Sequence, residues 1–102
     1  MTSFQLAFTA DAREEIKQLY DFLLNIDVDV AERAMEIMES AFDTVCRNPF
    51  ICHKAAGGEL GSRWRELLIN FGSSGYVALF EIENDTTVTI TAVRHQRKSD
   101  YH

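Results

Sequence analysis

Cysteine and proline are scarce in this chain, and long apolar runs are missing. Cys46 and Cys52 are the only cysteines among 102 residues, too few for the disulfide framework of a small secreted domain. No stretch approaches the roughly 18 apolar residues that would span a bilayer, so no membrane partner is expected. The opening Met1-Thr2-Ser3-Phe4-Gln5-Leu6 has neither a basic n-region nor a long apolar h-region, which predicts no secretory signal. These absences point to the cytosol and to two free thiols. A phosphate loop is missing too, because Gly57-Gly58 is not followed by Lys-Ser/Thr at a helix start. Cys46, Cys52 and His53 lack the paired spacing and the fourth ligand of a zinc site. Cys52 and His53 are sequence neighbours, whose side chains point apart, so a Cys–His nucleophile pair is not expected. No Ser-His-Asp order stands out. No metal and no cofactor are expected.

Basic charge is scarce in the first half. Residues 1–45 carry ten acids against Arg13, Lys17 and Arg33, and the whole chain has a net charge of −6. Binding to free nucleic acid is not expected, since a phosphate-binding face needs an excess of Lys and Arg. The acids on the helices read as solvated faces, or as a surface for a basic partner.

What is present is a complete set of amphipathic segments. Phe4, Leu6 and Phe8 alternate with period two and predict a short strand. Thr9 is a plausible N-cap. Ala12, Ile16, Leu19, Tyr20 and Leu23 then mark one face of a helix. After a break at Asn25–Val28, Asp29 stands three residues before Glu32 and predicts a capping-box-like start. Val30, Ala34, Ile37, Met38, Ala41, Phe42 and Val45 form a second helical stripe. Pro49, the single proline, ends it, because the residue before Pro is pushed out of the α region.

Residues 48–62 read as a loop, the kind of segment that often carries function. Three strands follow. Gly72-Ser73-Ser74-Gly75 and Asn84-Asp85 are their turns. In the middle strand Tyr76, Ala78, Phe80 and Ile82 share a face. In the last strand Val88, Ile90 and Ala92 do, leaving Thr87, Thr89 and Thr91 opposite. The predicted fold is α+β, β-α-α-β-β-β, with a helix hairpin packed on a small, mainly antiparallel sheet. With no repeat or linker, residues 1–102 are expected to form a single domain.

Polar candidates for function gather at the strand ends. Arg63 and Arg65 lie two residues apart and are expected on one side of a strand. Trp64 between them reads as a sheet or core residue. Arg94, His95, Arg97, Lys98, Tyr101 and His102 cluster where the last strand ends. Histidine titrates near neutral pH and could serve as acid or base. Arginines could stabilise a pentavalent phosphate. The plainer reading is a solubilising tail with rim contacts to acids.

Three stretches together resemble the RelE/ParE superfamily of toxins from bacterial type II toxin–antitoxin modules. They are Arg65-Glu66-Leu67, the Gly-Tyr-Val-Ala-Leu-Phe of Gly75 to Phe80, and the Ala-Val-Arg-His-Gln-Arg of Ala92 to Arg97. The resemblance covers nearly the whole chain and the order of its elements. It implies a cognate antitoxin whose disordered C-terminal part folds upon the toxin. It also implies one of two targets. Ribonuclease members cut mRNA on the ribosome with basic residues on the sheet and a C-terminal Tyr or His; ParE-like members poison DNA gyrase. Ribonuclease members often read Gly-Tyr-Arg in the middle strand and are commonly strongly basic. This chain reads Gly75-Tyr76-Val77 and is acidic. The expectation is therefore a ParE-like gyrase inhibitor, more a binder than an enzyme, with Arg94, His95, Arg97 and Lys98 meeting the target. The alternative is a ribosome-dependent mRNA endoribonuclease using Arg63, Arg65, His95, Arg97 and Tyr101. A third possibility is a degenerate toxin that only binds its antitoxin.

Overall fold

The computed structural model describes residues 3–71 and 74–95. Among them strand β1 is Gln5–Phe8, helix α1 is Ala10–Leu24 and helix α2 is Val28–Arg47. Strands β2 (His53–Lys54), β3 (Trp64–Phe71), β4 (Ser74–Ile82) and β5 (Thr87–His95) follow. Two 3-10 turns, Pro49–Ile51 and Ala55–Gly58, flank β2. The order is the expected α+β one, with β2 added to it. That strand fell inside the stretch read as a loop. At two residues it is too short to show a periodicity, and it exists because the edge of β3 offers pairing to His53 and Lys54, opposite Glu66 and Arg65.

Local chemistry sets the helix ends. Thr9 is extended and its hydroxyl accepts the Ala12 N–H at 3.1 Å, satisfying one of the orphan donors of α1. The start of α2 differs from expectation. Its cap is Asp27, whose carboxylate accepts the Asp29 N–H at 2.7 Å and the Val30 N–H at 3.3 Å. Asp27 is extended and can fold back over the free donors, whereas Asp29 already lies within the first turn. There its charge is favoured by the helix dipole instead. The helix stops at Arg47, just before Asn48-Pro49.

The sheet order is β1-β5-β4-β3-β2. β1 runs parallel to β5, and the other pairs are antiparallel. The helix stripes and one sheet face share a core that includes Met38, Phe42, Val45, Ile69, Ala78, Phe80, Val88 and Ile90. Phe8 meets Phe42 edge-on at 5.6 Å, locking β1 to α2.

One feature of β5 decides which of its last side chains face inward. Phe80 pairs with Ile90, but Leu79 pairs with Ala92. Thr91 is the extra residue of a β-bulge, and its hydroxyl donates to the Leu79 carbonyl at 3.2 Å. Inward positions therefore switch from Val88 and Ile90 to Val93 and His95, opposite Ala78 and Tyr76. The expectation that Ala92 continues the inward stripe is corrected: Val93 is buried and Ala92 is only half-buried. Strict alternation cannot anticipate a bulge, because one inserted residue inverts the face of everything after it.

Candidate functional site

β1 pairs with β5 only as far as Ile90. Beyond it, the outer edge of β5 is dressed by groups from the start of α1. The Thr9 N–H donates to the Ile90 carbonyl at 3.0 Å, and the Thr9 hydroxyl donates to the Thr91 carbonyl at 3.2 Å. One turn of helix further on, the Glu15 carboxylate takes the Val93 N–H at 2.8 Å through Oε1. Its Oε2 lies 3.7 Å from Nε of Arg94. A charged side chain thus does for Val93 what a neighbouring strand would otherwise do.

A groove of about 610 Å³ opens between this edge and α1. Glu15, Gln18, Leu19 and Phe22 line it from the helix, at spacings that place them on one face. Tyr76, Val93, Arg94 and His95 line it from the sheet. Phe22 is 62% exposed, whereas Tyr76 is buried. The His95 ring stands edge-on to Tyr76, with centroids 5.3 Å apart. Burial pushes the Tyr76 hydroxyl above its ordinary pKa, so it stays a neutral phenol at physiological pH. The groove presents an apolar floor, an imidazole and one guanidinium with its own carboxylate beside it.

Both Arg94 and His95 lie within β5, not in a tail after it. Their neighbours Arg97, Lys98, Tyr101 and His102 lie outside the described residues.

Arg63 and Arg65 are placed elsewhere and held differently. Arg63 precedes β3, and its guanidinium donates to the Glu83 carbonyl at 2.8 Å. Arg65 is 9% exposed. Its Nε donates to the Ser62 carbonyl at 2.7 Å, and one terminal nitrogen donates to the carbonyls of Phe50 and Cys52 at 3.1 and 3.0 Å. It also stands over the Phe50 ring at 5.5 Å. This guanidinium ties three carbonyls of the 48–62 segment to the sheet. Arg65 pairs with Phe80 and His95 with Tyr76. Four steps along β4 separate those positions, roughly 14 Å at ~3.4 Å per residue. The two arginines and His95 are thus not gathered into one site.

Residues 6–100 match the family described as ParE toxin of type II toxin–antitoxin system, parDE. The chain belongs to that family. A curated relative, "Toxin RelE3" of Caulobacter vibrioides (strain ATCC 19089 / CIP 103742 / CB 15), is 30% identical over 84 residues, covering 82% of this chain and 85% of the relative. This protein is accordingly the toxin of a type II toxin–antitoxin system, and its partner is a cognate antitoxin.

Among the described residues of the toxin, no three His, Cys, Asp or Glu side chains group to hold a metal ion. No described helix is long and apolar enough to cross a membrane. Burial raises the Cys46 thiol, helped by the Asp43 charge; burial also raises Cys52, with Arg65 pulling the other way. Neither thiol is an activated nucleophile. Sequence reasoning missed Glu15, Gln18, Phe22 and Tyr76 as lining residues. Phe22 carried a signal: it is a large aromatic outside the predicted α1 stripe.

Proposed function

We propose that this toxin arrests growth in the cytosol by inhibiting DNA gyrase through the Arg94–His95 end of its sheet, with Arg97 and Lys98 adding charge. The observation that carries this reading is the burial of Arg65. A site for RNA cleavage needs guanidinium groups aimed at a phosphate. Arg65 commits its Nε and one terminal nitrogen to three backbone carbonyls, and Arg63 donates to a fourth. Val77 stands where ribonuclease members carry an arginine, and the net charge of −6 opposes a ribosomal RNA surface.

The ribosome-dependent endoribonuclease remains the second reading, favoured by one observation of register. Arg94 lies directly across from Val77, so it could bring a cation to that part of the sheet. The relative's RelE name points the same way.

The antitoxin is proposed to cover the apolar cleft of about 430 Å³ lined by Leu6, Phe8, Ile16, Met35, Met38 and Phe42. It would also cover the open sheet face around Leu68, which is 53% exposed. Such a segment, disordered when free, would fold as it binds.

Two assays with purified toxin decide between the targets. Inhibition of gyrase supercoiling with intact mRNA in a translating extract is the expected result. Cleavage of mRNA in the ribosomal A site, with supercoiling unaffected, overturns it and promotes His95 and Tyr101 to catalytic candidates.

A further inference from the structure

The groove between α1 and β5 carries a stand-in for its own ligand. Glu15 places one carboxylate oxygen on the Val93 N–H and the other near Arg94. Both sheet groups are therefore matched to a carboxylate. The hold on Arg94 is loose: the contact is 3.7 Å and the Arg94 side chain is 64% exposed. A long contact with one exposed and one half-buried partner is easily exchanged for a better one. Beside it, Phe22 stands largely in solvent over a floor of Leu19, Tyr76 and Val93.

We propose that this groove takes an extended acidic protein segment, which seats an apolar side chain against Phe22 and brings a carboxylate to Arg94, displacing Glu15. The charge pattern favours protein over nucleic acid as the occupant. Among the described residues lining the groove, Arg94 is the one fixed cation, enough for a single carboxylate and too few for a run of phosphates. Polynucleotide binding draws on several cations, with bases stacked on aromatics. An acidic peptide needs one cation, an apolar contact and a backbone donor, here Arg94, Phe22 and, once Glu15 is displaced, the Val93 N–H. Glu15 then acts as an internal competitor, which keeps Arg94 neutralised until a segment with more contacts arrives. The inference rests on the proposed gyrase reading for the segment's source and deepens it by naming its chemistry.

Glu15→Gln separates the two contacts of Glu15. Its amide oxygen still accepts the Val93 N–H, but the negative charge beside Arg94 is gone. Expected is a several-fold lower toxin concentration for half-inhibition of supercoiling, with unchanged thermal unfolding. A weaker inhibitor with unchanged unfolding would mean that Glu15 orients Arg94 and does not compete for it, and would overturn the proposal. Phe22→Ala is expected to weaken inhibition about tenfold, the order of a central aromatic contact, and unchanged potency overturns it. For location, toxin with p-benzoylphenylalanine at position 22 is irradiated separately with purified gyrase holoenzyme and with purified ribosomes. A crosslink to a gyrase subunit supports the proposal, and a crosslink to ribosomal RNA overturns it. If wild-type toxin leaves supercoiling untouched, the gyrase reading alone has failed. The ribosome sample then decides the groove: attachment to a ribosomal protein sustains an acidic protein segment, and attachment to RNA, or to nothing, ends it.

Discussion

Arg65 and Arg94 are the same kind of residue at opposite ends of one sheet, and their surroundings give them opposite uses. Arg65 sits on the helix-covered face of β3, paired with Phe80 and shielded by Phe50. With little water available, its donors are satisfied by backbone carbonyls, and the folded 48–62 segment is the result. Arg94 sits on the exposed end of β5, where β1 has already stopped. Among the described residues the Glu15 carboxylate is its charged neighbour, held at 3.7 Å, and the side chain is 64% exposed, so a partner can reach its charge by displacing Glu15. The difference teaches that an arginine in a motif is a functional candidate only once its donors are shown to have no structural employment. Arg65 belongs to the stretch that carries the family resemblance, yet its geometry is that of a structural staple.

Breaking the staple should give the largest loss of stability. Arg65→Ala leaves buried carbonyls without a donor, an expected cost of about 3 kcal/mol. Arg65→Lys should recover only a minor part, because a point charge cannot reproduce the fork. Urea unfolding of both variants measures this. A loss below about 1 kcal/mol would be no more than an exposed arginine contributes, and would dissolve the contrast.

The mirror experiment touches the other arginine. Arg94→Ala with Arg97→Ala is expected to abolish growth inhibition while costing under about 1 kcal/mol, since Arg94 is exposed and its contact with Glu15 is long. Circular dichroism and an antitoxin pull-down should both match the parent. A double variant that is still fully toxic would move attention to Arg63 and to the remainder of the groove.

A helix cap calibrates the scale between those two. Asp27→Ala removes the acceptor for two N–H groups at the start of α2 and should cost about 1 kcal/mol, with toxicity retained. Asp29→Ala should cost less than that, because Asp29 contributes only its charge near the helix N-terminus. The reverse ranking in thermal unfolding would restore Asp29 as the cap.

The smallest effect sharpens the contrast through pH. Cys46, Cys52 and Tyr76 all hold their protons more tightly in the folded chain, chiefly because of burial. The stability they contribute is complete below the ordinary thiol range, near ~8.5, and falls as pH rises through the raised values. Urea midpoints should therefore decline between pH 7 and 10, and Cys46→Ala should flatten part of that decline. A midpoint that rises over the same interval would contradict the assigned shifts.

Much of this protein follows from local pattern alone. The two helix stripes, the Thr9 cap, the stop before Pro49 and the three long strands are properties of neighbouring residues. They are readable because side-chain period and capping chemistry act over a few positions. The family resemblance is equally a matter of consecutive residues. Tertiary structure alone decided the rest. The parallel pairing of β1 with β5, the strand made by His53 and Lys54, and the bulge at Thr91 depend on which edges and faces meet across the fold. So does the fate of each polar group. Glu15 and Val93 are 78 positions apart in the chain, and no local rule brings them together. Whether an arginine staples a loop or greets a partner is set by the water and the carbonyls around it, and those are placed only when the whole chain has folded.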